Sequence, residues 1–250
     1  MTSLPGANAA VPPARPSATV MLLREVADRL EVLLQRRAAT LWFGGTWVFP
    51  GGSVDPGDGD LAREPLAALR RAAVRECREE AGISLRAAAD AGELIGWSRW
   101  ITPGARERRF DTWFFAAALP TGQAVVGDAS ETVESGWFEP EAALEAAASG
   151  RMLLMGPTRL TLLDLQLTHA HHGSLERLLS AERERPIVPI LPRLVGVGDA
   201  RVAIYPWDPD YESVPGEGIP LRGEVPAHLR RLPSRLALGI ASEPPRPSSR

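Results

Sequence analysis

Short runs of apolar and β-branched residues, separated by polar or Gly/Pro-rich stretches, recur through the first half of the chain. Runs of this length are typical of β-strands. The first two are separated by only a few polar residues and predict a hairpin, and the run at 110–119 is apolar almost throughout, as expected of a buried strand. The predicted strands are 19–24, 30–35, 46–49, 93–101, 110–119 and 133–138.

A longer segment between Pro65 and Gly82 is rich in Ala, Leu, Arg and Glu and predicts a helix over 65–81. Proline suits the first turn of a helix, and glycine suits its C-terminal end. At about 100° per residue, four side chains form one apolar stripe, with arginines roughly opposite. The stripe comprises Leu66, Leu69, Ala73 and Cys77. Two later segments, 139–148 and 158–170, also predict helices.

After residue 185 the pattern changes to short runs interrupted by Pro and Gly, with predicted strands at 193–197 and 201–205 around a Gly198-Asp199 turn. Together, the predicted strands and helices indicate an α/β fold, in which a mixed sheet and helices form a sandwich that is followed by a C-terminal extension. The extension covers the site, makes a homodimer contact or does neither. The predicted divisions are a flexible tail at 1–17, the main domain at 18–185, the extension at 186–240 and a second flexible tail at 241–250.

Composition narrows the classes of protein that remain. The chain has 250 residues, 44% apolar and 24% charged, which is typical of globular proteins and excludes fibrous ones. A net charge of −3 gives no basic excess for nucleic acid, and no apolar run reaches the roughly 18 residues that cross a membrane. Cys77 is the only cysteine, so a disulfide within the chain is excluded and a cytoplasmic setting is expected.

Three carboxylates on the predicted helix carry the most information about chemistry. Glu76, Glu79 and Glu80 stand at i, i+3 and i+4, where like charges repel, so they need water or a cation. Glu76 and Glu80 lie at the edge of the apolar stripe, whereas a simple charged surface would place them with the arginines. Oxygen ligands on a rigid element suit Mg²⁺ or Mn²⁺ bridging to a phosphate. Arg75, four residues before Glu79, is placed to orient it.

The same helix resembles the signature of the Nudix hydrolases, G-x5-E-x7-R-E-U-x-E-E-x-G-U, where U is apolar. The stretch RECREEAGI, residues 75–83, matches its second half, and FPGGSVDPGD, residues 49–58, begins its first half. From Gly52 to Arg75 the chain spans 23 positions where the signature has 14, so nine residues are extra. Asp58 and Glu64 are both candidates to replace the first acidic residue of the signature.

A lengthened loop before the helix resembles the Nudix branch related to coenzyme A diphosphatases, as do the segments 108–120 and 131–144. The resemblance covers roughly residues 19–169. That branch also carries an arginine-rich signature before FPGG, of which this chain keeps Arg36 or Arg37 but has Leu41 and Trp42 where a second arginine belongs. Coenzyme A is therefore one of several substrates that the resemblance leaves open, beside ADP-ribose and dinucleotides.

The resemblance implies a Nudix α/β/α sandwich and metal-dependent hydrolysis of a nucleoside diphosphate linked to another group. Mg²⁺ or Mn²⁺ would be held by Glu76, Glu79, Glu80 and the carbonyl of Gly51. Arg75 would act with Glu79 and Glu80 in catalysis. The base that deprotonates water is one of these glutamates or a later loop acid, Glu131 or Glu134.

Four other residues are candidates to bind a small nucleotide-type substrate. Arg108 and Arg109 precede a buried strand and either grip a phosphate or form surface charge. Trp47 either stacks on a base or packs in the core, and Arg36 belongs to the arginine-rich segment. The alternative function is a catalytically inactive Nudix-fold module that binds nucleotides or regulates.

Overall fold

The computed structural model describes residues 11–40, 43–104, 108–126, 132–196 and 201–238. They form a mixed sheet with helices on both faces and a small second sheet. The strands are β1 Arg15–Val26, β2 Arg29–Arg37, β3 Trp47–Val48, β4 Gly51–Ser53, β5 Ile95–Ile101, β6 Phe110–Ala118, β7 Thr132–Phe138, β8 Pro189–Ile190, β9 Arg193–Val195, β10 Arg201–Ile204 and β11 Arg235–Leu238. The helices are α1 Pro65–Ala81, α2 Arg86–Asp90, α3 Pro140–Ala148, α4 Gly156–His172, α5 Leu175–Ala181 and α6 Ala227–Arg230.

Strand β1 lies at the centre of the larger sheet, whose order is β3-β2-β1-β6-β5-β8. It is antiparallel to β2, as the hairpin pattern predicted, and parallel to β6 along nine residue pairs. Strand β4 pairs with the N-terminal part of β1, and β7 pairs with β2. This topology brings β4, β2 and β7 to the same region of the sheet.

Alternating side chains of β1 enter two separate cores. Val20 and Leu22 pack with the buried face of α1, whereas Met21 and Leu23 pack with leucines of α4. All four side chains are fully buried. A strand has a side-chain period of two, so helices on both faces require this alternation. The predicted α/β/α sandwich is confirmed.

Helix α1 begins at Pro65 and ends at Ala81, as predicted. Gly82 follows with φ of 70°, a left-handed conformation that glycine adopts without strain, and its N–H donates to the Arg78 carbonyl at 3.0 Å. The stripe prediction is confirmed for Leu69, Ala73 and Cys77, which are buried. It is wrong for Leu66, which is 36% exposed because burial of the helix starts only at Ala68.

Strand β1 starts at Arg15, inside the segment predicted as a flexible tail. The Arg15 N–H donates to the Arg109 carbonyl at 2.9 Å, and residues 15–17 pair with β6. The start of this strand depends on pairing with a distant strand, which leaves little trace in the local sequence. The prolines of the segment also favoured the prediction of a flexible tail. Residues 1–10 of the first predicted tail and the whole of the second, 241–250, lie outside the described residues, as does the predicted turn at Gly198-Asp199.

The predicted C-terminal extension packs on the main sheet. Strand β8 runs parallel to β5, while β9, β10 and β11 form the antiparallel second sheet. Tyr205, Leu229 and Leu232 are buried in the same core as the leucines of α4. No helix within the described ranges combines the length and the apolar character needed to cross a bilayer.

Candidate active site

Two consecutive glycines bring the backbone of β4 against α1. The Gly51 N–H donates to Glu80 Oε2 at 2.8 Å. A Cβ at Gly51 would overlap the Ala18 carbonyl oxygen, so a side chain there would break the pairing with β1. The hydroxyl of Thr19 on β1 donates to the Pro50 carbonyl at 2.6 Å. This segment is therefore fixed from both sides, and it holds one carboxylate of α1.

Gly52 leaves space for a second carboxylate. A Cβ at this position would overlap Glu76 Oε1, so only glycine lets the Glu76 side chain approach the loop. Burial raises the pKa of the Glu76 carboxyl above its usual value, although the hydrogen bond and charge of Arg75 act in the opposite direction. A further cation beside Glu76 would therefore stabilise its charged form.

Arg75 connects the loop with three carboxylates. Its Nε and Nη2 donate to the two oxygens of Asp58 at 3.1 and 2.9 Å, a bidentate pair. Its Nη1 donates to Glu76 Oε1 at 2.8 Å and to Glu79 Oε2 at 3.0 Å. Its Nη2 also donates to the carbonyl of Ser53 at 3.0 Å. The proposed orientation of Glu79 by Arg75 thus has a geometric basis.

Asp58, not Glu64, occupies the position facing Arg75. Burial alone would raise the pKa of the Asp58 carboxyl, but the hydrogen bonds from Arg75 and from the Asp55 N–H outweigh it, so this pKa lies below its usual value. Glu64 instead accepts from Arg71 Nη2 at 2.6 Å on the exposed side of the helix. The extra residues fold back so that an aspartate nearer the glycines reaches the arginine.

The carboxylates fit a divalent cation by donor type. Glu76, Glu79, Glu80 and the Gly51 carbonyl provide the hard oxygen ligands that Mg²⁺ and Mn²⁺ prefer. In this structure, however, Arg75 and the Gly51 N–H hold the carboxylates, and no three acidic, histidine or cysteine side chains among the described residues are close enough to bind a metal. Metal binding would therefore require these side chains to exchange partners.

Replacing Gly52 with Ala should disable the site without unfolding the protein. The added methyl would displace the Glu76 carboxylate, and misplacing a reacting group by about 1 Å costs about 100-fold in rate. We expect kcat to fall about 100-fold while the thermal midpoint changes little. Gly57→Ala is the matched control, because a Cβ there meets no atom within 4 Å. Equal activity of both variants would contradict the assignment of Glu76.

The two predicted loop acids have different outcomes. Glu134 lies on β7 opposite Arg36 of β2, and Arg36 Nη2 forms an ion pair with Glu134 Oε2 at 3.2 Å. Arg36 is half-buried and Glu134 is exposed, and their opposite charges neutralise each other. Glu131 lies outside the described residues.

Two predicted substrate-binding residues have structural roles instead. Trp47 is only 7% exposed and packs edge-on against Phe138, with ring centroids 5.1 Å apart, so its position favours core packing over base stacking. Arg109 is buried and donates to the carbonyls of Thr102 and Pro12 at 2.9 and 2.7 Å and to Glu217 at 2.5 Å. Those bonds use its guanidinium to join distant segments. Arg108 is exposed just before β6.

Sequence reasoning missed two residues that support the cluster. Gln35 is buried, and its Nε2 donates to the Glu80 carbonyl at 2.9 Å. The sequence feature that could have indicated Gln35 is its place as a polar residue directly after the apolar run of β2. Arg71 donates through Nε to the Asp58 carbonyl and so holds the inserted loop on α1. The sequence feature that could have indicated Arg71 is its position one helical turn before Arg75, on the same face of α1.

Comparison with known proteins places this site in a family. Residues 13–154, more than half of the chain, match the NUDIX domain model. Nudix hydrolase 7 of Caenorhabditis elegans, a putative assignment by its name, is 30% identical over 174 residues, 57% of each chain. Acyl-coenzyme A diphosphatase NUDT19 of Xenopus laevis is 30% identical over 154 residues, 55% of this chain and 37% of that protein. These matches thus span roughly a third to three-fifths of the relatives' own lengths.

A solved structure gives the same result for the fold. The NUDIX hydrolase from Alicyclobacillus acidocaldarius superposes with a TM-score of 0.60 at 24% identity, over 71% of this chain and all of that one. The signature resemblance on α1, the α/β/α sandwich and the family match agree. The chain therefore belongs to the Nudix family.

Proposed function

We propose that this protein is a Nudix pyrophosphohydrolase, a metal-dependent enzyme that cleaves the diphosphate bond of a nucleoside diphosphate linked to another group. The observation that carries the proposal is the joining of three glutamates of α1 to the glycine loop, through Arg75 and the Gly51 N–H. Membership of the family and the diphosphatase named among its relatives support the same reaction class.

The protein's part in this reaction is to hold its carboxylates in place. Arg75 fixes Glu76 and Glu79 on one side, and the Gly51 N–H fixes Glu80 on the other. Bound Mg²⁺ or Mn²⁺ would neutralise charge on the diphosphate and lower the pKa of the attacking water. One of the three α1 glutamates, Glu76, Glu79 or Glu80, would accept the proton of the attacking water.

A substrate panel tests the proposal. Product formation is measured with Mg²⁺ or Mn²⁺ from coenzyme A, acyl-coenzyme A, ADP-ribose, NADH and diadenosine polyphosphates. We expect at least one of these diphosphates to be hydrolysed at its anhydride bond, with no turnover in chelator. Binding of a panel compound without turnover under any metal condition would contradict hydrolysis and favour the nucleotide-binding module.

A further inference from the structure

The Gln35 side chain places an amide in the otherwise apolar interior of β2. Gln35 is 1% exposed and follows the fully buried Leu33 and Leu34. Burying an amide is unfavourable unless its polar atoms find partners. Its Nε2 donates to two oxygens, whereas its buried Oε1 accepts no hydrogen bond from the residues that the structure describes. An apolar side chain would avoid that cost, so the amide contributes its donor.

The first oxygen that accepts from Nε2 belongs to the main chain at the C-terminal end of α1. The last carbonyls of a helix have no N–H of the same helix left to accept from, so they need other donors. The Ala81 carbonyl accepts from the Val126 N–H at 2.9 Å. The Glu80 carbonyl accepts from Gln35 Nε2, also at 2.9 Å. Gln35 therefore ties the end of the helix to strand β2.

The second oxygen fixes the orientation of the amide. Ser135 lies opposite Gln35 in the pairing of β2 with β7, and Nε2 contacts its Oγ at 3.4 Å. An amide nitrogen carries two hydrogens, one for each of these oxygens. Rotating the amide by about 180° would turn Oε1 toward the Glu80 carbonyl oxygen, and two acceptors would repel each other. The donor of Gln35 is therefore directed at α1.

Glu80 is held at both its main chain and its side chain. Its carbonyl accepts from Gln35 of β2, and its Oε2 accepts from the Gly51 N–H of β4 at 2.8 Å. Both strands pair with β1, so the two donors belong to the same sheet. A side chain held only at its tip still moves when its main chain shifts. Both bonds together let the sheet set the position of this carboxylate.

Gln35 lies outside the two segments that resemble the Nudix signature, residues 49–58 and 75–83. Within the second segment, Arg75 donates to Glu76 and Glu79. Gln35 donates to the residue that follows them. The support for the third glutamate therefore comes from a strand that the signature does not include.

We propose that Gln35 is a positioning residue for hydrolysis at α1 and that it acts through Glu80. Without the donor, the end of the helix is free to shift, and displacing a reacting group by about 1 Å costs about 100-fold in rate. This inference rests on the proposed function, because Glu80 has a part in catalysis only if hydrolysis takes place at α1.

Gln35→Met tests the inference, since methionine is unbranched, adapts to irregular space and has no N–H donor in its side chain. With the best substrate of the panel at saturating Mg²⁺, we expect kcat to fall about 10- to 100-fold while KM stays within about twofold. Gln35→Asn keeps an amide that is one methylene too short, and it should show the same loss.

Gln123→Met is the matched control. Gln123 accepts from the Ser84 N–H at 2.7 Å and donates to the Ser84 carbonyl at 3.1 Å, so its amide holds the chain just beyond α1 but not Glu80. This variant should keep kcat within about twofold of the wild-type value. Thermal melting establishes that each variant is folded at the assay temperature.

A double-mutant cycle with Glu80→Gln distinguishes positioning from a merely structural role. If Gln35 acts through the Glu80 carboxylate, Gln35→Met should change kcat by less than about threefold once that carboxylate is absent. A bond that only stabilises the end of the helix would give the same fold-loss in both backgrounds.

The outcomes separate the two proposals. The inference about Gln35 is overturned, and the hydrolase proposal stands, if Gln35→Met keeps wild-type kcat, if Gln123→Met loses as much, or if the fold-losses in the cycle are equal. Unfolding of both Gln35 variants would show a structural role and overturn the inference as well. If the wild-type protein hydrolyses no panel compound with Mg²⁺ or Mn²⁺, the proposed function is contradicted and this inference fails with it.

Discussion

Replacing Glu79 or Glu80 with Gln is expected to lower kcat by about 10²–10⁴-fold. Glutamine keeps the size of the side chain and removes the negative charge that would face a cation or accept a proton. The Gly51 N–H holds the Glu80 carboxylate, and Arg75 holds the Glu79 carboxylate. Another carboxylate could take either place only if the glycine loop moved. Steady-state kinetics at saturating Mg²⁺ measures the loss.

Glu145→Gln on α3 is the control, because it changes the same group on an exposed surface of another helix. It should keep wild-type kcat. Circular dichroism and thermal melting should show that Glu79→Gln and Glu80→Gln remain folded. If both variants retain more than about a tenth of wild-type kcat, the α1 carboxylates are not the catalytic centre.

Replacing Arg75 with Ala is expected to lower the free energy of unfolding by about 3 kcal/mol. This value is the lower end of the range for breaking a buried ion pair, because the Arg75 side chain is 23% exposed. The change leaves the buried Asp58 carboxylate without its bidentate partner and lets Glu76 and Glu79 repel each other. Activity should be lost as well, since both glutamates lose their orientation. Urea denaturation in chelator measures the stability.

A double-mutant cycle with Asp58→Asn separates the pair from the rest of the network. The neutral amide of the Asp58→Asn variant no longer needs a cation, so Arg75→Ala should cost at least about 1 kcal/mol less in that background. Equal costs in both backgrounds would show that Asp58 and Arg75 are not coupled.

The same pair has a pH signature. The pKa of folded Asp58 is depressed, so its stabilising contribution is fully present above the ordinary carboxyl pKa of about 3.9 and is lost as pH falls below that value toward the folded pKa. The stability advantage of the wild-type protein over Asp58→Asn should therefore be constant above about pH 5 and shrink in more acidic buffer. Urea denaturation of both proteins across that pH range measures the difference.

Helix α1 was predictable because its determinants are local. The proline start, the glycine end and the apolar stripe all lie within the segment, and the spacing of the glutamates follows from helical geometry. Leu66 shows the limit, since a position on the apolar stripe is buried only where the sheet reaches it. The strand pattern of β6 was equally local, because its apolar run is almost continuous.

Features that depend on distant contacts were not predictable. The start of β1 at Arg15 is set by pairing with β6, which lies far along the chain. The choice of Asp58 over Glu64 is set by a loop that folds back onto Arg71 and Arg75. Trp47 and Arg109 have the right chemistry for substrate binding, but burial and partners from remote segments give them structural roles.

We propose that the carboxylates of α1 make this protein a metal-dependent diphosphatase. The measurement that tests this proposal is the hydrolysis rate of the best substrate, determined in chelator and then during titration with Mg²⁺, for the wild-type protein and Glu80→Gln in parallel. We expect no rate in chelator, a saturable rise with Mg²⁺ for the wild-type protein and almost none for the variant. A rate that is the same with and without Mg²⁺ would contradict the claim.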